Sequence, residues 1–265
     1  MTIGALVPIR LASERLPGKA LLPIGGRPAV AHLIERLFAS RHLSPERVVV
    51  CTTEDSTDDP LVPVVEAIGA RVFRGSRDDI IDRFDSAVTA YGFDAVIQAD
   101  GDDPFTDTGY MDRCMDHLLA NPAVDVVMSE GLPLGLNSKA IRASAISRVR
   151  AHRITEKNDH GFILLFTATG LCAVETIGPE SADHVHDHAR VTLDYDDDLA
   201  FFRALYDAAQ VPNRIFGVAE IVATLRSRPD LLAINAHLNQ EYWERTDALV
   251  RLQYQRDGVV LDIKV

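Results

Sequence analysis

The chain has 265 residues, 47% of them hydrophobic and 25% charged, with a formal net charge of −12. This composition fits one soluble globular domain with a sizeable core, and the acidic balance argues against a nucleic-acid partner, because gripping a phosphate backbone takes a broad basic face. No run of about eighteen apolar residues occurs and the first apolar run follows Met1-Thr2 without a basic stretch, so neither a membrane span nor a secretory leader is expected, and the cytoplasm is the expected location.

Ile3 to Val7 reads as a strand. It gives way to Pro8-Ile9-Arg10-Leu11-Ala12-Ser13-Glu14-Arg15-Leu16-Pro17-Gly18-Lys19 and then to Gly25-Gly26-Arg27-Pro28. A strand that opens into a loop carrying Arg10, Arg15 and Lys19, followed by a helix, can surround a polyphosphate with cations and backbone N–H donors. Residues 1–34 hold four basic side chains (Arg10, Arg15, Lys19, Arg27) against one acidic one, Glu14. The loop is therefore an island of positive potential on an acidic chain and reads as a nucleotide site; the alternative is a solvated loop whose cations pair with nearby carboxylates.

Helices and strands alternate from there: a helix around Val30–Ser40, a strand Arg47–Thr52, a helix Leu61–Ile68, a strand Ala70–Phe73, a helix Asp79–Tyr91, a strand Ala95–Ala99 and a helix Thr108–Ala120. This order predicts right-handed crossovers and a mostly parallel, doubly wound α/β sheet. Ligands of such sheets lie beyond the carboxyl ends of the strands, which singles out the loops Pro8–Lys19, Thr53–Asp59, Arg74–Asp79 and Asp100–Asp107. After Asp125–Ser129 the pieces are shorter: strands over Gly161–Thr167 and Leu171–Glu175, the histidine-rich Asp183–His188, and a strand Arg190–Leu193. Helices are expected over Leu199–Ala209, Val218–Arg226 and Asn239–Tyr254. The reading is one domain over 1–265, with a small antiparallel insert at about 130–190 forming the acceptor side and a helical extension from about 239. That last helix, with Tyr242, Trp243, Leu249, Val250 and Leu252, either packs on the core or forms part of a dimer face.

Gln98-Ala99-Asp100-Gly101-Asp102-Asp103-Pro104 follows a strand, so its carboxylates fall at the same sheet edge as the basic loop. Mg2+ is usually held by one or two carboxylates plus substrate phosphates. A second carboxylate is expected from Thr192-Leu193-Asp194-Tyr195-Asp196-Asp197-Asp198-Leu199. For Asp102 and Asp194 the metal reading is preferred over a plain turn. For Asp196, Asp197 and Asp198 a helix cap and first turn is preferred. Cys51, Cys114 and Cys172 have neither CxxC nor His–Cys spacing, which argues against a zinc site or a disulfide framework. His184, His186 and His188 alternate and would share a face on a strand, where they could bind a transition metal; a solvated segment is the preferred reading.

The opening segment resembles the CMP-sugar-acid synthetases, the CMP-Kdo and acylneuraminate enzymes. Those making CMP-3-deoxy-octulosonate have an Ala-Arg-Leu-x-Ser-x-Arg-Leu-Pro-Gly-Lys loop, matched here from Arg10 to Lys19. The chain is still more similar to the cytidylyltransferases of the spore-coat-polysaccharide type, in Val72-Phe73-Arg74-Gly75-Ser76-Arg77-Asp78-Asp79-Ile80-Ile81-Asp82-Arg83-Phe84, in Gly101-Asp102-x-Pro104, in Leu193-Asp194-x-x-x-Asp198-Leu199, and in Arg228 to Ala236. The resemblance implies a Rossmann-like nucleotidyltransferase (GT-A-like) three-layer fold, a homodimer, and the use of CTP and Mg2+ in polysaccharide biosynthesis. It implies that Pro8, Arg10, Ser13, Arg15 and Lys19 embrace the triphosphate, and that Arg74, Gly75 and Ser76, with Asp79 and Arg83 behind them, border base and ribose. Asp102 and Asp194 would bind the metal, and Arg10, Lys19 and Asp102 would act in catalysis.

Two departures concern the acceptor. Spore-coat-type members tend to have Gly-x-Asp-x-Glu where this chain has Gly135-Leu136-Asn137-Ser138-Lys139, and a Glu-His pair followed by Thr-Pro-Tyr where this chain has Glu156 to His160 and then Gly161-Phe162. Asn137, Lys139 and His160 are accordingly expected to contact the acceptor, and a Lys139 facing it would favour an anion, a sugar acid first. A phosphonate or sugar-phosphate acceptor, another nucleotide, or a silent nucleotide-binding scaffold are the rival readings.

Overall fold

Val48-Val49-Val50-Cys51-Thr52-Thr53 has no polar alternation, as a strand covered on both faces requires. In the computed structural model, which describes residues 1–209 and 214–263, all six residues are buried. The strands are β1 (Ile3–Pro8), β2 (Pro23–Ile24), β3 (Arg27–Pro28), β4 (Val48–Thr53), β5 (Arg71–Gly75), β6 (Ala95–Gln98), β7 (Val126–Ser129), β8 (Lys139–Arg142), β9 (Val174–Ile177), β10 (Gln253–Arg256) and β11 (Val259–Asp262). Seven of them form one sheet in the order β5-β4-β1-β6-β8-β7-β9. β8 alone runs antiparallel to its neighbours in that sheet, and the pairs β2–β3 and β10–β11 make two small antiparallel sheets.

The helices are α1 (Ala29–Phe38), α2 (Leu61–Ile68), α3 (Ile80–Tyr91), α4 (Thr108–Ala120), α5 (Ala143–His152), α6 (Leu164–Thr167), α7 (Asp196–Ala209), α8 (Val218–Ser227), α9 (Pro229–Leu232) and α10 (Leu238–Leu249). Successive strand residues point to opposite faces. Ala5, Val7, Val50 and Ile97 meet Val30, Leu33, Leu61 and Met111 of α1, α2 and α4. Leu6, Val49 and Val96 meet Ile81, Phe84, Ile146 and Phe166 of α3, α5 and α6 on the other side. A third cluster joins α7, α8 and α9 around Phe105, Phe202 and Ile221. This is the three-layer α/β fold with a mostly parallel sheet that the alternation predicts.

Three expected elements are corrected. Gly161–Thr167 is a turn and the short helix α6, because Phe162, Leu165 and Phe166 recur at helical spacing and all face the core. Arg190–Leu193 is extended but joins no sheet: it crosses the carboxyl edge, where Val191 N–H donates to Leu134 and Leu193 N–H to Asp102. The last helix stops at Leu249, and Tyr254 belongs to the hairpin β10–β11. Asp257 and Gly258, at φ 51° and 78°, form its two-residue turn. The strand expected at Leu171–Glu175 lies slightly later, as β9.

Cys51 and Cys114 are buried and unbridged, and burial pushes both thiols up to about 12. Among the described residues no helix is long and apolar enough to cross a membrane.

Candidate active site

The loop leaving β1 is held by its own polar groups. Leu11 N–H donates to the buried Asp58 carboxylate at 2.6 Å, and Ser13 Oγ accepts from Leu16 N–H at 3.4 Å. Gly18, at φ 70°, starts the turn that carries Lys19. The loop after β6 approaches closely: a Cβ on Gly101 would lie 2.5 Å from the Pro8 carbonyl oxygen and 2.4 Å from Ile9. Only glycine permits that approach, and it brings Asp102 onto Lys19.

Lys19 Nζ lies 2.9 Å from Asp102 Oδ2 and 3.0 Å from Asp194 Oδ1. Asp194 also pairs with Arg15 and, at 2.9 Å, with Arg190. Arg190 is fully buried and its Nε donates to Asp198 at 2.9 Å. Asp198 in turn accepts from the backbone N–H groups of Asp194 and Tyr195 at 2.9 and 3.1 Å. It therefore fixes the direction of the Asp194 side chain as well as capping α7. Beside this group Lys139 Nζ lies 2.6 Å from Asp100 Oδ2, while Gln98 donates to the other Asp100 oxygen at 2.9 Å. The antiparallel register that opposes Lys139 to Gln98 puts that lysine at the end of β6. Asp103 Oδ1 is buried with no hydrogen-bond partner among the described residues. Gly135, at φ +92°, closes this side, since a Cβ there would sit 2.0 Å from the Val191 carbonyl oxygen.

Several carboxylates share few cations, and the proton affinities follow. Burial works to lower Lys19, but Asp102 and Asp194 outweigh it and hold the ammonium charged. Burial raises Asp194, and Lys19, Arg15 and Arg190 reverse that. For Asp102, burial together with Asp194 and Asp100 prevails over Lys19 and pushes it up. Asp103 is pushed well above the ordinary carboxylate range by burial and then by Asp102 and Asp100.

The other anticipated residues make their contacts outside the Lys19 cluster. Arg10 reaches Asp159 at 2.5 Å and not Asp102 or Asp194. Arg74 donates to the Thr53 and Asp55 carbonyls at 2.8 and 2.9 Å and pairs with Asp59 at 2.6 Å, ordering the loop after β4. Gly75 pairs opposite Thr53 at the end of β5. Ser76 Oγ accepts from Asp79 N–H at 3.2 Å, and Asp79 caps α3, with Asn158 donating to it at 2.7 Å and Arg153 Nε at 2.6 Å. Arg83 is buried, donates to the Cys51 carbonyl at 3.1 Å, and leaves Nε without a partner among the described residues. A cleft of about 380 Å³ opens here, lined by Ser76, Arg77, Asp79, Arg153 and Glu156; it includes no residue of the Lys19 cluster. Asn137 Oδ1 accepts from Ser129 at 3.4 Å.

The three histidines do not share a strand face. His184 ends a 3-10 turn and its Nδ1 is 2.9 Å from the Tyr110 hydroxyl. Among the described residues no group of three or more His, Cys, Asp or Glu side chains is arranged to hold a metal.

Asp159 gives a test of the Arg10 contact. Burial raises its pKa, but the His160 hydrogen bond and Arg10 bring it down to about 2. Arg83 also faces it. A carboxylate depressed in the folded state contributes stability that is complete above the unfolded value of about 4 and is lost as pH falls through the folded one. Asp159→Asn is therefore expected to flatten the fall in urea-unfolding free energy between about pH 5 and pH 3, an effect on the order of 1 kcal/mol once solvent screening is allowed for. An unchanged acid limb would show that the pair contributes nothing.

Local spacing did not reveal Arg190, Asp198 as an anchor, or two tyrosines. Arg15 lies 5.0 Å from the Tyr195 ring centroid and 6.0 Å from that of Tyr242, and Arg190 lies 4.5 Å from Tyr242. Burial, and then the fields of Asp102 and Asp194, push the Tyr242 phenol up, so its ring is neutral.

Comparison with known proteins fits this arrangement. A family model described as Cytidylyltransferase matches residues 4–160, more than half of the chain. The spore coat polysaccharide biosynthesis protein SpsF of Bacillus subtilis is 28% identical over 231 residues, 85% of this chain and 94% of SpsF. A 3-deoxy-manno-octulosonate cytidylyltransferase of Geobacter sulfurreducens is 37% identical over 126 residues, 47% of this chain and 48% of that protein. Among solved structures, a cytidylyltransferase from Leptospira borgpetersenii superposes with a TM-score of 0.78 at 23% identity, covering 88% of this chain and 97% of its own. A CMP:2-keto-3-deoxy-manno-octonic acid synthetase in complex with CTP gives 0.61 at 18% identity, covering 78% and 99%. At those identities the two structures share the fold with this protein. The stretch matched by the family model includes the basic loop, Asp102 and the α3 segment, and on that match the chain belongs to the cytidylyltransferase family.

Proposed function

We propose that this protein transfers CMP from CTP to an anionic acceptor, a sugar acid, and releases pyrophosphate. The observation that carries the reading is Lys19 bridging Asp102 and Asp194, which joins a cationic loop to two carboxylates from distant parts of the chain at one sheet edge. The names of the octulosonate relatives support CTP and a sugar acid as substrates.

The donor set fits Mg2+. Asp102 and Asp194 offer two hard oxygens, the number that Mg2+ takes when phosphate oxygens supply the rest, and Asp103 Oδ1 beside them is buried without a partner among the described residues. Asp102 and Asp194 would hold the ion, which when bound orients the acceptor oxygen and offsets charge on the α-phosphate. Lys19 and Arg15 now spend their charge on these aspartates and would exchange them for the β- and γ-phosphates. Their donors then neutralise the charge that grows on the departing pyrophosphate, which is where preorganised cations lower a barrier most. Arg10 pairs with Asp159, which also pairs with His160; His160, Asn137 and Lys139 remain our candidates for the acceptor side.

Pyrophosphate release measured over the four nucleoside triphosphates, each with sugar-acid, phosphonate and sugar-phosphate acceptors, tests this. Turnover is expected with CTP and a sugar acid, and is expected to vanish on chelation of divalent cations. Preference for another triphosphate, or full turnover in excess chelator, would overturn the corresponding part of the reading.

A further inference from the structure

Helix α10 is poorly held by apolar burial. Leu238 is its buried residue, the same face continues with the half-buried Tyr242, Arg245 and Thr246, and Trp243 and Leu249 are exposed. Its contacts run instead to the basic loop and its partners. Arg245 lies 2.5 Å from Glu14, which sits beside Arg15, and the Tyr242 ring meets both guanidiniums that serve Asp194. Tyr195 meets the same two arginines, at 5.0 and 5.9 Å.

The kind of contact matters. A carboxylate that steadied Arg15 would compete with phosphate for its N–H donors, whereas a ring face holds the planar cation and leaves the in-plane donors free. Arg190 Nη1 is buried with no partner among the described residues, so one such donor is already unspent.

The geometry points to Tyr242 of α10 as a positioning residue that keeps Arg15 aimed at the triphosphate when it leaves Asp194, while Arg190, buried on the same ring, goes on holding that aspartate. This rests on the cytidylyltransferase reading and extends the working site to a helix far beyond the segment that the family model matches. α10 is then part of the nucleotide site.

Calorimetric titration of Mg-CTP, with turnover at saturating CTP measured alongside, tests it. Tyr242→Leu is expected to weaken CTP binding about tenfold while turnover at saturation changes by less than about threefold. Tyr242→Phe, which keeps the ring face, is expected to restore the affinity. Arg245→Ala, which unties α10 from Glu14 without touching either ring, is expected to weaken CTP severalfold and serves if the leucine variant does not fold. Wild-type affinity in Tyr242→Leu or in Arg245→Ala, or equal losses in the leucine and phenylalanine variants, would overturn the positioning role and leave the enzyme assignment standing. A wild-type protein that binds no CTP would overturn both.

Discussion

Lys19→Ala is expected to slow cytidylyl transfer by about two to three orders of magnitude, the usual cost of deleting one preorganised donor to developing charge. The variant loses the ammonium that lies between Asp102 and Asp194. Asp194 keeps Arg15 and Arg190, so the fold has no uncompensated buried charge at that residue, and the melting temperature should move by only a few degrees. Lys19→Arg should recover a part of the rate, because a planar fork replaces a point charge. Steady-state kinetics with CTP and circular dichroism on the same samples decide the matter. Near-wild-type kcat/KM in a folded Lys19→Ala protein would remove this side chain from the chemistry.

The largest stability effect is expected at Asp198. Asp198→Ala strips the buried Arg190 of its Nε partner, leaves the amides of Asp194 and Tyr195 without their acceptor and takes from the Asn235 side chain one of its two acceptors. Breaking a buried pair from one side costs about 3–5 kcal/mol, which should appear directly in urea unfolding. The double variant Arg190→Met/Asp198→Leu should regain much of that loss while remaining inactive, because Asp194 has lost its support. A cost below about 1 kcal/mol for Asp198→Ala would mean that Arg190 rests on Asp194 alone.

The sheet was legible where each element carries its own signal. The expected helix over Thr108–Ala120 has the bounds observed, with Asp107 accepting from Tyr110 N–H at 3.0 Å as its cap. The strand expected over Arg47–Thr52 is found one residue later, at Val48–Thr53, because an unbroken apolar run marks it. Legibility failed where an apolar run had two explanations. Gly161–Thr167 satisfies a strand by composition and a helical turn by spacing, and packing against Phe84 selects the turn. The helix expected over Asn239–Tyr254 overruns the first strand of the hairpin whose turn is Asp257-Gly258.

The site divides in the same way. Asp102 and Lys19 stand out because each occupies a loop at a strand end with an unusual charge pattern, and Asp194 because it follows an apolar stretch in an acidic run. Arg190, Tyr195 and Tyr242 carry no comparable mark, since what makes them matter is a neighbour far along the chain. Arg74 and Arg83 lie in a motif visible along the sequence, and the structure adds what holds them: loop carbonyls for one guanidinium and the Cys51 carbonyl for the other.

The pairs that define the centre span most of the polypeptide: Arg15 with Asp194 across 179 positions, Lys19 with Asp194 across 175, and Glu14 with Arg245 across 231. Closing loops of that size is slow and comes late in assembly. During synthesis the amino-terminal layers can collapse while the aspartate that completes the centre is still inside the ribosome. A half-made chain would thus be unable to consume nucleotide, and recovery of turnover after dilution from denaturant should lag behind recovery of helical signal, making catalysis a late reporter of maturation.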